Sequence, residues 1–170
     1  MEIRKLERND LAEYKRIRLE GLKNNPEAFV SSFEEESSQS NDFFVDRITQ
    51  TNCNFVVGAF EQSKLVATAG FYRENRSKMF HKGFLVGVYV SEPHRGQGFG
   101  LNVVKFVISE VRKLDDVSKI QLRVTANNSS AKKLYLNCGF YNEGFEKDAI
   151  RVNGTSYDEH LMVSYLWPKT

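Results

Sequence analysis

Three alternating glycines, Gly96, Gly98 and Gly100, follow Arg95 and directly precede a run of residues with helical spacing. Glycines at this spacing let successive backbone N–H groups converge on an anion, and the N-terminus of a helix adds partial positive charge. Arg95 would supply a formal charge to the same site. The segment therefore predicts a pyrophosphate cradle, although the same glycines could also serve only a tight turn between a strand and a helix.

Two other nucleotide-binding motifs do not match this segment. A P-loop needs Gly-Lys followed by Ser or Thr, whereas Gly100 is followed by Leu101 and Asn102. A dinucleotide-binding fold needs the spacing G-x-G-x-x-G and an acidic residue about twenty positions further on, at the end of the next strand. Asp115 and Asp116 lie near that offset, but they end the helix and the glycine spacing is G-x-G-x-G. Both alternatives are therefore disfavoured.

The residues before the glycine loop have the pattern of β-strands. Residues 55–60 and 65–72 are apolar runs separated by four residues, which predicts an antiparallel hairpin. Residues 84–90 are apolar throughout, as expected for a central strand covered on both faces. From Leu101 onward, apolar residues recur at helical intervals until residues 115–116. The order is therefore strand, glycine loop, helix.

The later part of the chain repeats the alternation of strand and helix. Residues 120–124 alternate apolar and polar side chains, and Asn128 caps a short helix that ends at Gly139. A β run at residues 140–145 would complete a βαβ unit. The turn Asn153-Gly154 then precedes a last β run at 161–167, which Pro168 ends.

The first part of the chain is predicted to be helical with one irregular segment. Asn9-Asp10 caps a helix that carries Arg18 on its apolar face. Arg18 could bury its stem and send its guanidinium to the edge of the core, or it could point at a ligand. Residues 24–41 are polar and weakly periodic, either a solvated connector or a substrate-facing loop, and Glu34-Glu35-Glu36 within them could attract a cationic acceptor. Asp42 opens a second helix.

Antiparallel strands early in the chain and parallel βαβ units in the middle predict an α+β fold. We expect a single domain over residues 1–170, built on a mixed, mostly antiparallel sheet of about six to seven strands. About four helices should flank the sheet in α/β/α layers.

The composition limits the partners that this chain would bind. Lys plus Arg total 24 against 22 Asp plus Glu, and the net charge of +2 predicts no nucleic-acid partner. We expect no membrane association and a cytoplasmic location, because the sequence has neither an N-terminal apolar segment nor a long apolar run. Cys53 and Cys138 lie far apart without a Cys/His cluster, so no metal site is predicted. The chain would be a monomer or a homodimer.

Two segments in the same order resemble the GNAT superfamily of N-acetyltransferases. Its pattern Q/R-x-x-G-x-G/A after an apolar strand is matched by Arg95, Gly98 and Gly100. Its second pattern, an Asn followed by Leu-Tyr and then Gly-Phe, is matched from Asn128 through Leu134-Tyr135 to Gly139-Phe140. Weaker similarity extends towards both ends of the chain.

The resemblance implies an enzyme that transfers an acetyl group from acetyl-CoA, as cosubstrate, to a primary amine of a small molecule or a protein. It also implies that the strand before the glycine loop separates from its parallel neighbour and that the pantetheine arm pairs with backbone groups in the gap. Tyr135 matches the family tyrosine that acts as general acid. The implied acetyl-CoA-binding residues are Val88, Tyr89, Val90, Arg95, Gly96, Gln97, Gly98, Phe99, Gly100, Leu101 and Asn128.

The general base is left open by the sequence. Many members of the superfamily carry a glutamate on the strand before the loop, but residues 84–90 contain no carboxylate. His81, Asp158 and Glu159 are alternatives, each acting directly or through ordered water. The missing glutamate favours a competing hypothesis, a non-catalytic acyl-CoA binding or sensing module, whereas Tyr135 argues against it.

Overall fold

One seven-stranded sheet organises the chain. A computed structural model describes residues 1–166, and its strands are β1 (Glu2–Lys5), β2 (Asn54–Glu61), β3 (Lys64–Tyr72), β4 (Lys82–Val90), β5 (Lys119–Thr125), β6 (Tyr141–Val152) and β7 (Thr155–Tyr165). Their order across the sheet is β1-β2-β3-β4-β5-β7-β6. All neighbours pair antiparallel except β4 and β5, which are parallel. The predicted mixed, mostly antiparallel sheet is confirmed.

Residues 1–166 contain five α-helices, where the sequence predicted about four. They are α1 (Leu11–Asn24), α2 (Phe33–Ser37), α3 (Asn41–Ile48), α4 (Phe99–Val111) and α5 (Ser129–Asn137). The additional helix, α2, lies in the segment that was predicted to be irregular. Ser32 and Glu35 form a capping box at its start, in which each side chain accepts a hydrogen bond from the other residue's backbone N–H. This local hydrogen bonding outweighs the weak periodicity of the segment.

The helices bury an apolar core on each side of the sheet. On one side, α4 contributes Val103, Val104, Val107 and Val111, all fully buried at helical spacing. On the other side, α1 and α3 bury a second cluster that includes Ile17 and Phe44. Each fully buried side chain of this size contributes about 1.5–3 kcal/mol. These two cores make the α/β/α layers that the sequence predicted.

The predicted βαβ unit of β5, α5 and β6 is present, with β7 inserted between its two strands. β5 and β6 run parallel, because each pairs antiparallel with β7. The cause of the insertion is the turn Asn153-Gly154, with φ of 49° and 81°, which is suited to a tight hairpin and pairs β6 with β7. The opposite edge of β7 then pairs with β5 over Lys119–Thr125. Trp167 and Pro168, predicted at the end of the last strand, lie outside the described residues.

Candidate active site

A cleft of about 1210 Å³ opens where β4 and β5 separate. The two strands pair at only three positions, the last of which joins Phe84 to Gln121. Beyond them, residues 85–90 of β4 and residues 122–125 of β5 form no ladder with each other, and both stretches line the cleft. Backbone N–H and C=O groups on the facing edges are therefore available to a ligand.

The separation coincides with a bulge in β4. The register between β3 and β4 shifts so that Gly87 and Val88 stand opposite a single residue, Ala69. Gly87 has a φ of 59°, a backbone conformation that residues with a Cβ atom rarely adopt. The hydroxyl of Thr68 donates a hydrogen bond of 3.1 Å to the carbonyl of Gly87. Because a bulge bends and twists its strand, this one directs β4 away from β5.

One face of β4 is open, contrary to the prediction of a strand covered on both faces. Val86 is 40% exposed, and Phe84 is only half-buried. Both line the cleft. The uniformly apolar sequence of this strand therefore reflects a core on one side and an apolar cleft wall on the other.

Gly96 and Gly98 form the open part of the glycine loop. Their φ values are 72° and 84°, so both residues have the left-handed backbone conformation. A Cβ added to Gly96 would have no atom within 4 Å, and one added to Gly98 would have only the amide nitrogen of Asn102, at 3.8 Å. Both glycines line the cleft, and the space beside them is open to it.

Gly98 is also the N-cap of α4. The first backbone N–H groups of a helix have no partner within the helix and carry its partial positive charge. No acidic side chain lies in the first turn of α4, so nothing in that turn neutralises this charge. The loop thus has the chemistry of an anion cradle.

Gly100 has a different role from the other two glycines. A Cβ at this position would approach Leu134 to 2.8 Å and Val90 to 3.2 Å. Gly100 therefore permits close packing of α4 against α5 and β4, and the alternating pattern combines two open, left-handed positions with one packing position.

The side chains of Arg95 and Gln97 form hydrogen bonds within the protein. Arg95 donates from Nε to the carbonyl of Val90 at 3.0 Å and from Nη2 to Asn25 at 2.8 Å. Its guanidinium lines the cleft and also links the end of β4 to the end of α1. Gln97 donates to the carbonyl of Pro93 at 2.9 Å and does not line the cleft.

The other predicted cofactor residues line the cleft in different ways. Tyr89 buries its ring and donates its hydroxyl to Glu20 at 3.1 Å, so only its backbone could serve a ligand in the cleft. Asn128 accepts a hydrogen bond of 3.1 Å from the backbone N–H of Ala131 and so caps α5. The remaining positions that line the cleft are Val88, Val90, Phe99 and Leu101.

Tyr135 lies on α5 and reaches the cleft from the side of the α4 core. It is 7% exposed, and its ring packs edge-on against Phe140 with centroids 6.0 Å apart. Its hydroxyl makes no hydrogen bond to any of residues 1–166, so a local structural partner does not account for it. Burial, with a smaller contribution from Cys138, raises its pKa far above the ordinary value of a phenol. Tyr135 is therefore fully protonated at neutral pH.

The structure separates the three candidate bases. His81 is exposed just before β4 and does not line the cleft. Asp158 accepts a hydrogen bond of 2.8 Å from the backbone N–H of Asp148 and lines a smaller, separate pocket. Glu159 alone of the three lines the cleft.

Glu159 has the buried environment that makes a carboxylate a stronger base. It is 7% exposed and lies opposite Thr125 in the β5–β7 pairing, beside the gap between β4 and β5. Burial raises its pKa, and this effect outweighs the opposing effect of Arg123, whose guanidinium lies 3.6 Å away. Such a carboxylate binds a proton more readily than an exposed glutamate.

The polar face of β5 was missed as part of the site. Gln121, Arg123 and Thr125 alternate with the apolar positions of this strand, and Gln121 and Thr125 are buried. Arg123 and Thr125 line the cleft. The signal was present in the sequence, because the alternation at residues 120–124 assigned these side chains to one face. The neighbours of this polar face depend on the pairing of β5 with β7, which is distant in sequence.

Arg18 lies on the opposite wall of the cleft and is held by the acidic run. Its Nε and Nη2 donate to the two carboxylate oxygens of Glu36, at 2.9 and 2.7 Å. Arg47 also lies 3.1 Å from Glu36. Burial would raise the pKa of Glu36, but the two arginines outweigh it and lower the pKa. Glu36 is thus neutralised by arginines and does not act as an attractor for a cationic acceptor.

Residues 1–166 lack two features of other classes of site. These residues contain no cluster of three or more His, Cys, Asp or Glu side chains placed to hold a metal ion. None of their helices has the length and apolarity needed to cross a membrane.

The architecture of a mixed sheet that separates beside a glycine loop agrees with the family match. Residues 3–161 match the model of the acetyltransferase (GNAT) domain, and the chain therefore belongs to the GNAT acetyltransferase family. The resemblance seen in the sequence is confirmed over nearly the whole chain.

Solved structures share this fold. An N-acetyltransferase from Staphylococcus aureus Mu50 is 25% identical, with 97% of each chain covered and a TM-score of 0.74. The ribosomal-protein-alanine N-acetyltransferase from Brucella melitensis is 22% identical, covering 98% of this chain and 100% of that one, with a TM-score of 0.78. The protein yncA from Salmonella typhimurium, solved with its cofactor acetyl-CoA, is 18% identical over 98% and 94% of the two chains, with a TM-score of 0.82. The last two likenesses show the fold alone.

Curated relatives match over shorter stretches. An uncharacterized N-acetyltransferase, YoaA of Bacillus subtilis (strain 168), is 27% identical over 101 residues, which are 59% of this chain and 55% of that protein. The spermidine N(1)-acetyltransferase of Vibrio cholerae serotype O1 is 27% identical over 82 residues, 48% of this chain and 47% of that protein. The matched region thus spans about half the length of these relatives.

Proposed function

We propose that this chain is an acetyl-CoA-dependent N-acetyltransferase that acetylates a primary amine, with Glu159 as general base and Tyr135 as general acid. The observation that carries the proposal is that one cleft contains the Gly96 and Gly98 cradle, the unpaired edge of β4, and both of these titratable side chains. Family membership supports the class of reaction.

The residues of the cleft suit an acyl-CoA ligand. Open, left-handed Gly96 and Gly98 beside the first turn of α4 would hold the pyrophosphate through backbone N–H groups. The edge of β4 at residues 88–90 would pair with the amide groups of the pantetheine arm. When bound, acetyl-CoA would supply the thioester carbonyl, and a backbone N–H of this edge would stabilise the negative charge that develops on its oxygen.

The two titratable groups divide the proton transfers between them. Nucleophilic attack requires a neutral amine, and Glu159, with its raised pKa, would accept the proton that the amine loses. Tyr135 would donate the proton that the CoA sulfur gains when the C–S bond breaks. Burial keeps Tyr135 protonated because it raises the pKa of the phenol. Burial would also raise the pKa of the CoA thiol, so the departing CoA thiolate would be a stronger base and would accept a proton from Tyr135 more readily.

The names of the relatives support an amine acceptor only in general terms. One acts on spermidine and another on an alanine of a ribosomal protein. Both acceptors are amines, which agrees with a primary amine of a small molecule or a protein as the substrate of this chain.

The test is release of free thiol from acetyl-CoA in the presence of a panel of amines. Tyr135→Phe should lower turnover by about 100-fold or more, since positioned proton transfer contributes at least that much. Tyr141→Phe is the matched control, because Tyr141 is 49% exposed and lies outside the cleft. Binding of acetyl-CoA, measured as a thermal shift, should be unchanged in both variants.

Two results would contradict the proposal. Turnover of Tyr135→Phe equal to that of the native chain would remove Tyr135 from the acid role. A thermal shift with acetyl-CoA, but no thiol release with any amine, would identify a non-catalytic acyl-CoA binding module.

A further inference from the structure

Arg18 directs one unused nitrogen into the cleft. Its Nε and Nη2 are both taken by Glu36, whereas Nη1 donates no hydrogen bond to any of residues 1–166. Nη1 lies 3.5 Å from the position that a Cβ on Gly87 would occupy, at the bulge of β4. The Arg18 side chain is only 11% exposed. A charged donor is therefore aimed at the point where the strands separate.

The group to which Arg18 belongs carries a net positive charge. Arg18 and Arg47 share the single carboxylate of Glu36, which is 2% exposed. Two cations and one anion leave one positive charge, and both arginines line the cleft. Because an uncompensated charge at a poorly solvated site is costly, a second anion beside Nη1 would be favourable.

The opposite wall of the cleft has the complementary charge. There, Arg123 forms ion pairs with both Glu146 and Glu159. One cation between two carboxylates leaves a negative charge, and Glu159 faces the cleft. A ligand with a cationic amine on one side and an anion on the other would match both walls, whereas a polyamine would bring a cation to Arg18.

The space between these walls is apolar and open. Val86 is 40% exposed and Tyr72 is 41% exposed, and both line the cleft. The ring of Tyr72 stacks on that of Phe84 with centroids 5.2 Å apart and an angle of 20°. These exposed apolar side chains lie beside the charged groups and would contact an apolar substituent of the ligand, which binding would then bury.

We propose that the acceptor is an α-amino acid with an apolar side chain, whose carboxylate is held by Nη1 of Arg18. This inference rests on the proposed function, which directs the amine towards Glu159 and the thioester towards residues 88–90. Arg18 abuts Gly87, which directly precedes those residues in β4, so a carboxylate beside Nη1 would lie near the reacting amine, as it does in an α-amino acid. The carboxylate of a peptide lies further from its N-terminal amine.

The experiment compares apolar amino acids with their amides, for example L-leucine with L-leucinamide. The kcat/KM for thiol release is calculated on the free-amine concentration, because an amide lowers the basicity of the neighbouring amine. The native chain should prefer the acid by about 10- to 100-fold, the range for a hydrogen bond to a charged group. Arg18→Gln should abolish this preference by lowering kcat/KM for leucine while leaving leucinamide nearly unchanged.

Two further variants separate recognition from folding. Arg18→Gln combined with Glu36→Gln removes the cation together with its buried counter-charge, and it should also abolish the preference. Arg16→Gln is the matched control, because Arg16 lies on the same helix and pairs with Glu13 and Glu20 outside the cleft. Its preference for leucine should equal that of the native chain.

The outcomes distinguish this inference from the proposed function. Equal kcat/KM for acids and amides in the native chain would overturn the inference, and so would equal losses for both acceptors in the Arg18 variants. Thiol release with polyamines or peptide N-termini, but not with amino acids, would overturn it while the proposed function stands. Absence of thiol release with every amine would reject the proposed function and this inference with it.

Discussion

Replacing Gly98 separates the conformational role of the glycine loop from its role in ligand binding. Gly98 has a φ of 84°, and the nearest atom to an added Cβ is 3.8 Å away, so alanine would be strained without a clash. Left-handed backbone costs about 1–2 kcal/mol for a residue with a Cβ. In a chain of this size each kcal/mol shifts the melting temperature by about 2–4 °C, so Gly98→Ala should lower it by about 2–8 °C.

Gly154 offers a control with the same strain and no contact with the cleft. Its φ is 81°, a Cβ there would have no atom within 4 Å, and it lies in the turn between β6 and β7. Gly154→Ala should therefore lose about as much stability as Gly98→Ala. Gly98→Asn completes the set, because asparagine tolerates left-handed backbone at lower cost while extending a longer side chain into the cleft.

The assay is thermal unfolding with and without acetyl-CoA. At 100 times its dissociation constant, a ligand stabilises the native state by about 2.7 kcal/mol, or about 5–11 °C here. Gly154→Ala should keep this full shift at a lower starting temperature. Gly98→Asn should start near the native temperature and lose most of the shift. A full shift in Gly98→Asn would refute the assignment of this loop as the phosphate cradle.

Two carboxylates give further predictions. Because burial raises the pKa of Glu159, kcat/KM of the native chain should fall as pH drops through that raised pKa. Glu159→Gln should lose most of the activity and this fall at low pH, with no loss of melting temperature at neutral pH. An unchanged pH profile in Glu159→Gln would exclude Glu159 as the base. Glu36 has a lowered pKa, so its contribution to stability is complete above the ordinary glutamate value of about 4.3 and is lost as pH falls through the lower native value. Glu36→Gln should therefore cost about 3–5 kcal/mol in urea unfolding at pH 7 and clearly less at pH 3, and an equal cost at both pH values would contradict the ion-pair explanation.

The features predicted correctly from sequence are those set by neighbouring residues. The hairpin of β2 and β3 follows from two β runs and a short loop. Gly98 at the start of α4 and Asn128 at the start of α5 act as caps within a single turn of chain. Periodicity, turn residues and caps are local, so the sequence reports them directly.

The features that were missed depend on residues far apart in the chain. The placement of Glu159, alone of the three candidate bases, beside the cleft depends on the pairing of β7 with β5, and the same pairing inserts β7 into the predicted βαβ unit. The role of the acidic run required Arg18 and Glu36, eighteen positions apart, to meet across two helices. The sequence pattern predicted the side chain types at these positions but not their partners.

The short pairing of β4 with β5 divides the sheet mechanically. Strands β1–β4 form one half and β5–β7 the other, and only three parallel positions join the two along this seam. A molecule that lay along the seam and bonded to both edges would act as an additional strand, coupling the halves that the protein itself leaves apart. Binding would then stiffen the whole sheet, and slow hydrogen exchange at the strand edges would report occupancy of the cleft.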